Sequence, residues 1–106
     1  MQDERQGHVY ILASGKCGTL YIGVTSDLMG RLYQHREEVT KGFTSEYGVK
    51  MLVWFDTYDC VTDAIVREKQ MKKWNRDWKI RLIEEANPEW VDLAVGMGFE
   101  PLGRKC

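Results

Sequence analysis

The stretch His8–Val24, HVYILASGKCGTLYIGV, constrains the fold more than any other part of the chain. Val9 to Leu12 and Leu20 to Val24 are rich in β-branched and aromatic residues, and the segment Ser14-Gly15-Lys16-Cys17-Gly18-Thr19 between them is turn chemistry. That pattern reads as a β-hairpin. Side chains alternate between faces along a strand, so Val9, Ile11, Leu20, Ile22 and Val24 form one aliphatic face that needs a cover. The other face carries Tyr10, Leu12, Tyr21 and Gly23. Two tyrosines pointing the same way, beside a glycine that leaves the backbone approachable, make either a cross-strand aromatic pair or the floor of a site.

A chain of 106 residues is one domain with a modest core, and its 43% hydrophobic and 29% charged residues are ordinary for a soluble globular protein. No apolar run approaches the roughly 18 residues of a membrane span. MQDERQGH at the N-terminus lacks the apolar centre of a secretory signal, so the expected location is the cytoplasm. Cys17, Cys60 and Cys106 are odd in number, widely separated and without CxxC spacing, which argues against a disulfide framework and a zinc site. The net charge of −1 offers no global attraction to a polyanion. Locally, Arg67, Lys69, Lys72, Lys73, Arg76, Lys79 and Arg81 stand against only Glu68 and Asp77. That stripe is either a polyanion footprint or a solvated helix face.

Residues 1–7 read as a frayed end. Ser26 and Asp27 can cap a helix running to about Val39, and its stripe of Leu28, Leu32, His35 and Val39 turns His35 inward with Arg31 beside it. These two are either a core histidine with a surface arginine or members of a site. Gly30 inside that helix costs on the order of 1 kcal/mol relative to alanine unless close packing needs it. Residues 40–48 read as an ordered loop anchored by Phe43 and Tyr47, and Met51 to Tyr58 as a third strand covered on both faces. Val61 or Thr62 opens a second helix whose inward stripe is Val61, Ala64, Ile65, Glu68 and Met71. A carboxylate on that stripe requires a partner, either a salt bridge to Arg31 or a metal ion. Asn75 interrupts the pattern. Trp78, Leu82 and Ala86 then face inward from a third helix that Asn87-Pro88 stops, and Trp90, Val91 and Leu93 pack a last turn back. The expected architecture is α/β (α+β), a small sheet flanked by helices in the order ββαβαα, with one domain over 1–95 and a flexible tail over 96–106. The first strand pair is antiparallel; the direction of the third strand stays open.

Phosphodiester hydrolysis needs a carboxylate that holds a divalent cation, a phenol or imidazole that takes a proton from water, and a guanidinium that clamps phosphate. Tyr10, Tyr21, Arg31, His35 and Glu68 could converge as such a set. The chain closely resembles the GIY-YIG nuclease superfamily, in its small single-domain branch related to the nuclease domain of the UvrC excision-repair subunit. The resemblance is carried by VYIL at 9–12, LYIGVTSDL at 20–28, Arg31-Leu32-x-x-His35, GFTSEY at 42–47 and AIVREKQMKKWNRDWKIRLIEEANPEW at 64–90.

The resemblance implies a compact fold around a three-stranded antiparallel sheet and a one-metal cut of DNA, with Mg²⁺ or Mn²⁺, in DNA repair or processing. By position, Tyr10 and Tyr21 correspond to the two motif tyrosines, one of which is the general base. Arg31 corresponds to the phosphate-stabilising arginine, His35 to the adjacent position on its helix and Glu68 to the metal ligand. Lys69, Lys72, Lys73, Arg76 and Lys79 would then contact DNA, largely without regard to sequence. The first motif departs from the family in reading His8-Val9-Tyr10 instead of Gly-Ile-Tyr, and Asn75 and Asn87 are candidates for a further polar positioning residue. A monomer or weak homodimer is expected, with no membrane partner and room for a protein partner in targeting. The alternatives are a nucleic-acid-binding module without turnover and an adaptor of a repair complex.

Overall fold

The computed structural model describes residues 5–37 and 48–99. Strands β1 (Gly7–Ala13), β2 (Leu20–Thr25) and β3 (Met51–Tyr58) form one sheet in the order β2-β1-β3. Both pairings are antiparallel, which fixes the third strand's direction. Helices α1 (Leu28–Glu37), α2 (Val61–Lys72) and α3 (Arg76–Ala86) complete the ββαβαα order, and a 3₁₀ turn follows over Val95–Met97. Among the described residues, no helix is long and apolar enough to cross a membrane.

The period-2 pattern of β1 feeds two cores. Val9, Ile11 and Ala13, with Ile22, pack beneath Ala64 and Met71 of α2, Ile83 of α3 and Trp90. On the other face Tyr10 and Leu12 pack with Leu28 and Leu32 of α1, and with Val49, Leu52 and Ala94. The sheet is thus sandwiched, with α2 and α3 on one side and α1 with the C-terminal turn on the other. A bulge in β3 lies behind this division: Ile11 pairs with Trp54 and Leu12 with Leu52, so Val53 is the extra residue. Val53 and Trp54 consequently enter the same core.

Several expectations are corrected. β1 begins at Gly7, inside the supposed frayed end, because α2 seats directly on it: a Cβ on Gly7 would lie 2.7 Å from Val61 Cα and 2.8 Å from Ala64 Cβ. The Arg5 carbonyl accepts the Val61 amide at 3.0 Å and fastens that contact. β3 is covered on both faces only as far as Trp54; Phe55, Asp56 and Thr57 are exposed beyond the helices' reach. Ile65 on α2 is 38% exposed, at the margin of the buried stripe Ala64, Glu68 and Met71. On α3 the phase differs: Ile83 is buried, whereas Trp78 is 53% exposed and Ala86 is exposed. Asn75 starts the helix as its N-cap, its Oδ1 accepting the Trp78 amide at 2.9 Å.

Asp27 caps α1, its Oδ1 accepting the Gly30 amide at 3.1 Å, and a Cβ on Gly30 would press on that same carboxylate. The glycine therefore accompanies the cap. Asn87 ties α3 to the sheet, donating to the Val53 and Val91 carbonyls at 3.0 and 2.9 Å and accepting the Val91 amide at 2.9 Å. Packing continues past Gly96, since Met97 and Phe99 lie against the second core and the Arg36 guanidinium stacks 5.3 Å from the Phe99 ring centroid. The expectations for Val39, Phe43 and Tyr47, and the tail beyond Phe99, lie outside the described residues.

Candidate active site

Alternation along β1 turns Tyr10 away from the aliphatic core, and the β1–β2 register puts it opposite Gly23. The phenol lies across that glycine: a Cβ there would press on Tyr10 Oη and sit 2.5 Å from its Cζ. The approachable backbone is therefore filled by the protein's own tyrosine. Tyr21 enters from β2 on the same face, its ring centroid 6.3 Å from that of Tyr10. α1 brings His35 between them, with centroid distances of 5.9 Å to Tyr10 and 5.7 Å to Tyr21. Tyr10 Oη and His35 Nε2 are 3.2 Å apart, within hydrogen-bond range.

Burial sets the electrostatics of this cluster. Loss of solvent raises the Tyr10 phenol to about 12; the neighbouring Tyr21 phenol and Glu68 push the same way, while the Arg31 guanidinium opposes them. Burial also lowers His35 below its ordinary value, and the Arg31 charge adds to that effect. At neutral pH the phenol keeps its proton and the imidazole is uncharged. A neutral imidazole with its proton on Nδ1 accepts at Nε2, so the Tyr10 hydroxyl donates to His35 in that tautomer.

Glu68 projects from the sheet-facing side of α2 and is only 8% exposed. Its carboxylate meets Lys72 Nζ at 2.6 Å, one helical turn on. The bridge to Arg31, one of the two partners left open for the carboxylate beside a metal ion, gives way to this local pair, for which i,i+4 spacing was the available signal. Lys72 and Lys79 line, with Leu20, Tyr21 and Ile22, a cavity of about 300 Å³ along β2. Because β2 is an edge strand, Tyr21 from one face of the sheet and the two lysines from the helices over the other meet at its open side. Lys69 and Lys73 are exposed on α2 and just beyond it. Arg76 is engaged structurally, donating to the Cys17 carbonyl and, at 2.7 Å, to that of Gly18 in the hairpin loop. Asn75 and Asn87 serve as the cap and fastener described above, apart from the cluster.

The structure thus groups Tyr10, Tyr21, Arg31 and His35, with Glu68 close enough to act on Tyr10 electrostatically. Residues 6–81 match the model of the GIY-YIG catalytic domain. The chain belongs to the GIY-YIG family. It is 28% identical over 78 residues to a UPF0213 protein of Staphylococcus saprophyticus, covering 74% of this chain and 95% of that one. It is also 33% identical over 79 residues to a UPF0213 protein of Staphylococcus aureus, covering 73% of this chain and 93% of the relative. No solved structure matches. Membership carries endonuclease-type hydrolysis and DNA binding at the level of the superfamily, whose nucleases generally use a divalent metal. Within this GIY-YIG chain the leading motif glycine is replaced by His8, whereas Gly7, one place earlier, makes the close contact with α2.

Proposed function

We propose that the chain is a divalent-metal-dependent DNA endonuclease of repair or processing, with its reaction centre at the open side of β2. The observation that carries this reading is a buried carboxylate, Glu68, held against a cation beside a phenol–imidazole cluster with an arginine in its field. The 2.6 Å contact with Lys72 Nζ supports a pocket that tolerates positive charge against Glu68. Among the described residues no three His, Cys, Asp or Glu side chains converge as a metal cage. A lone carboxylate suits Mg²⁺ or Mn²⁺, since Mg²⁺ keeps several waters and takes one or two carboxylates with substrate phosphate. Bound at Glu68, such an ion would polarise a phosphoryl oxygen and offset developing charge.

The chain's own groups divide the remaining work. Water adds to phosphorus and a bridging P–O bond breaks; the water's proton passes to a side chain and the leaving oxygen takes one from solvent. Arg31 holds the non-bridging oxygens. A phenol raised to about 12 is a poor proton acceptor at neutral pH, so Tyr10 positions His35 and donates a hydrogen bond instead. Tyr21, which lines the cavity with Lys72 and Lys79, is the phenol assigned to the attacking water. Lys72 and Lys79 steer the phosphate backbone.

The test is cleavage of labelled single-stranded, duplex, nicked and branched DNA with Mg²⁺ or Mn²⁺ against EDTA, with Glu68→Ala alongside. Metal-dependent products that disappear in the folded variant are expected. Undiminished cleavage by Glu68→Ala overturns the site, and metal-indifferent binding without product from any substrate overturns the catalytic reading in favour of a binding module.

A further inference from the structure

α3 has a second face that the reaction centre does not use. Positions 78, 81 and 85 recur at i, i+3 and i+7 and form an exposed ridge away from buried Ile83, with half-buried Leu82 at its base against the core. Against this ridge lies a cavity of about 300 Å³ lined by Trp74, Trp78, Arg81, Leu82 and Glu85. Trp74 and Trp78 meet edge-to-face, with centroids 6.0 Å apart and planes at 75°. Trp74 is half-buried, packs against the core and carries the Arg67 guanidinium 5.2 Å from its ring centroid. That fixes one wall of the groove, while Trp78 remains 53% exposed.

We infer that this groove receives an unpaired base of a single nucleic-acid strand, with Trp78 as the stacking platform. The occupant follows from charge and position. Arg67 stands on the Trp74 ring and Arg81 lines the groove with Glu85, so guanidinium groups border the two tryptophans where a phosphate backbone would pass. Aromatic platforms in a basic groove bind single strands because every base has a π-face, whereas bases stacked inside a duplex present none. Arg81 supplies positive charge for a flanking phosphate, and Glu85 an acceptor for an exocyclic amine.

Lys79 follows Trp78 in sequence, about 100° around the helix, and lines the cavity with Tyr21 and Lys72. A strand crossing the first turn of α3 therefore lays a base on Trp78 on one side and a phosphate towards the reaction centre on the other. This inference rests on the nuclease reading for the nature of the polymer, and it narrows the substrate to DNA with an unpaired segment.

The test is binding by the full chain in EDTA, so that it is read without cleavage. Fluorescein-labelled single-stranded DNA, the matching duplex and a strand with a run of abasic sites are titrated at fixed salt. The single strand should bind most tightly, quench tryptophan fluorescence and lose roughly tenfold in affinity with Trp78→Leu. Duplex and abasic-strand affinity should be unchanged by that substitution, and Trp78→Phe should restore most of the loss. Equal binding of single strand and duplex, or a Trp78→Leu variant that binds the single strand like the parent, overturns the inference. So does a dimer in sedimentation that Trp78→Leu dissolves, since the groove would then be a self-contact. Loss of cleavage in Glu68→Ala is read separately, so either reading can fail alone.

Discussion

Replacing Gly23 by alanine tests how the cluster is held. The new Cβ would stand 2.5 Å from Tyr10 Cζ and 3.0 Å from Cε1, and would press on the hydroxyl as well. Ordinary contact needs about 1 Å more than the first of these distances. The obstacle is a rigid ring in a fully buried residue, between Gly23 on one side and the α1 helix on the other, so the strain cannot be relieved by a side chain swinging into water. Overpacking of this kind costs about 1–3 kcal/mol, and the upper half of that range fits a ring that cannot leave. For a domain of this size it corresponds to a fall in Tm of roughly 8–24 °C. The 3.2 Å Tyr10–His35 hydrogen bond should lengthen with it. Thermal unfolding of a double-mutant cycle is the assay. In a Tyr10→Phe background the penalty should persist, because Cζ remains; in a Tyr10→Leu background, which has no atom there, Gly23→Ala should be neutral or slightly stabilising through its better strand propensity. A Gly23→Ala protein as stable as the parent, or an equal penalty in the Tyr10→Leu background, refutes the reasoning.

Three further predictions concern charge. Because His35 titrates below its ordinary 6.5 in the folded protein, the unfolded chain takes up a proton that the folded one refuses, and stability should fall as pH drops below that value. Tyr10 works in the opposite sense: its folded value of about 12 against an ordinary 10.0 contributes stability below pH 10 that is lost as pH rises towards 12. Unfolding midpoints across pH check both, and the acid and alkaline losses should shrink in His35→Gln and Tyr10→Phe respectively; unchanged profiles count against the burial argument. Lys72→Gln should raise Mn²⁺ affinity, read by the electron spin resonance of bound ion, because the ammonium competes for the Glu68 carboxylate. It should also lower the salt slope of DNA binding by about 1, and an unaltered Mn²⁺ affinity refutes the competition.

The hairpin and its two faces were legible because a period of two is unambiguous when aliphatic and aromatic residues segregate as they do here. The inward turn of His35 and the burial of Glu68 were legible for a similar reason, since each continues an apolar stripe at helical spacing. α3 misled because Trp78, Ile80, Leu82 and Ile83 offer two possible apolar faces, and spacing by four from Trp78 through Leu82 to Ala86 drew the reading away from Ile83. Which face goes in is settled by packing on the sheet and by Asn87 reaching the Val53 carbonyl 34 residues away, a contact between segments that no local pattern reveals. Gly7 and Gly23 were hidden in another way. A glycine marks an absence of side chain, and only the packed structure tells whether a helix, as at Gly7, or a phenol, as at Gly23, fills it.

Tyr10 is at once the largest fully buried side chain among the described residues and the centre of the candidate site. That double role explains the division of labour around it. Burial that makes a residue part of the core also suppresses its ionised form, so Tyr10 keeps its proton at neutral pH, and the proposed mechanism therefore sends the water's proton to a group at the margin. The margin here is the open side of an edge strand, where a long polymer can pass without threading into an enclosed pocket. With a net charge of only −1, attraction to such a polymer rests on local basic groups such as Lys72 and Lys79 and not on the chain as a whole. Attraction of that kind acts within about one Debye length, roughly 8 Å at physiological salt. On the proposed nuclease reading, contact at the lysine-lined cavity and in the Trp78 groove, more than long-range steering, should therefore set which DNA structures are held long enough to be cut.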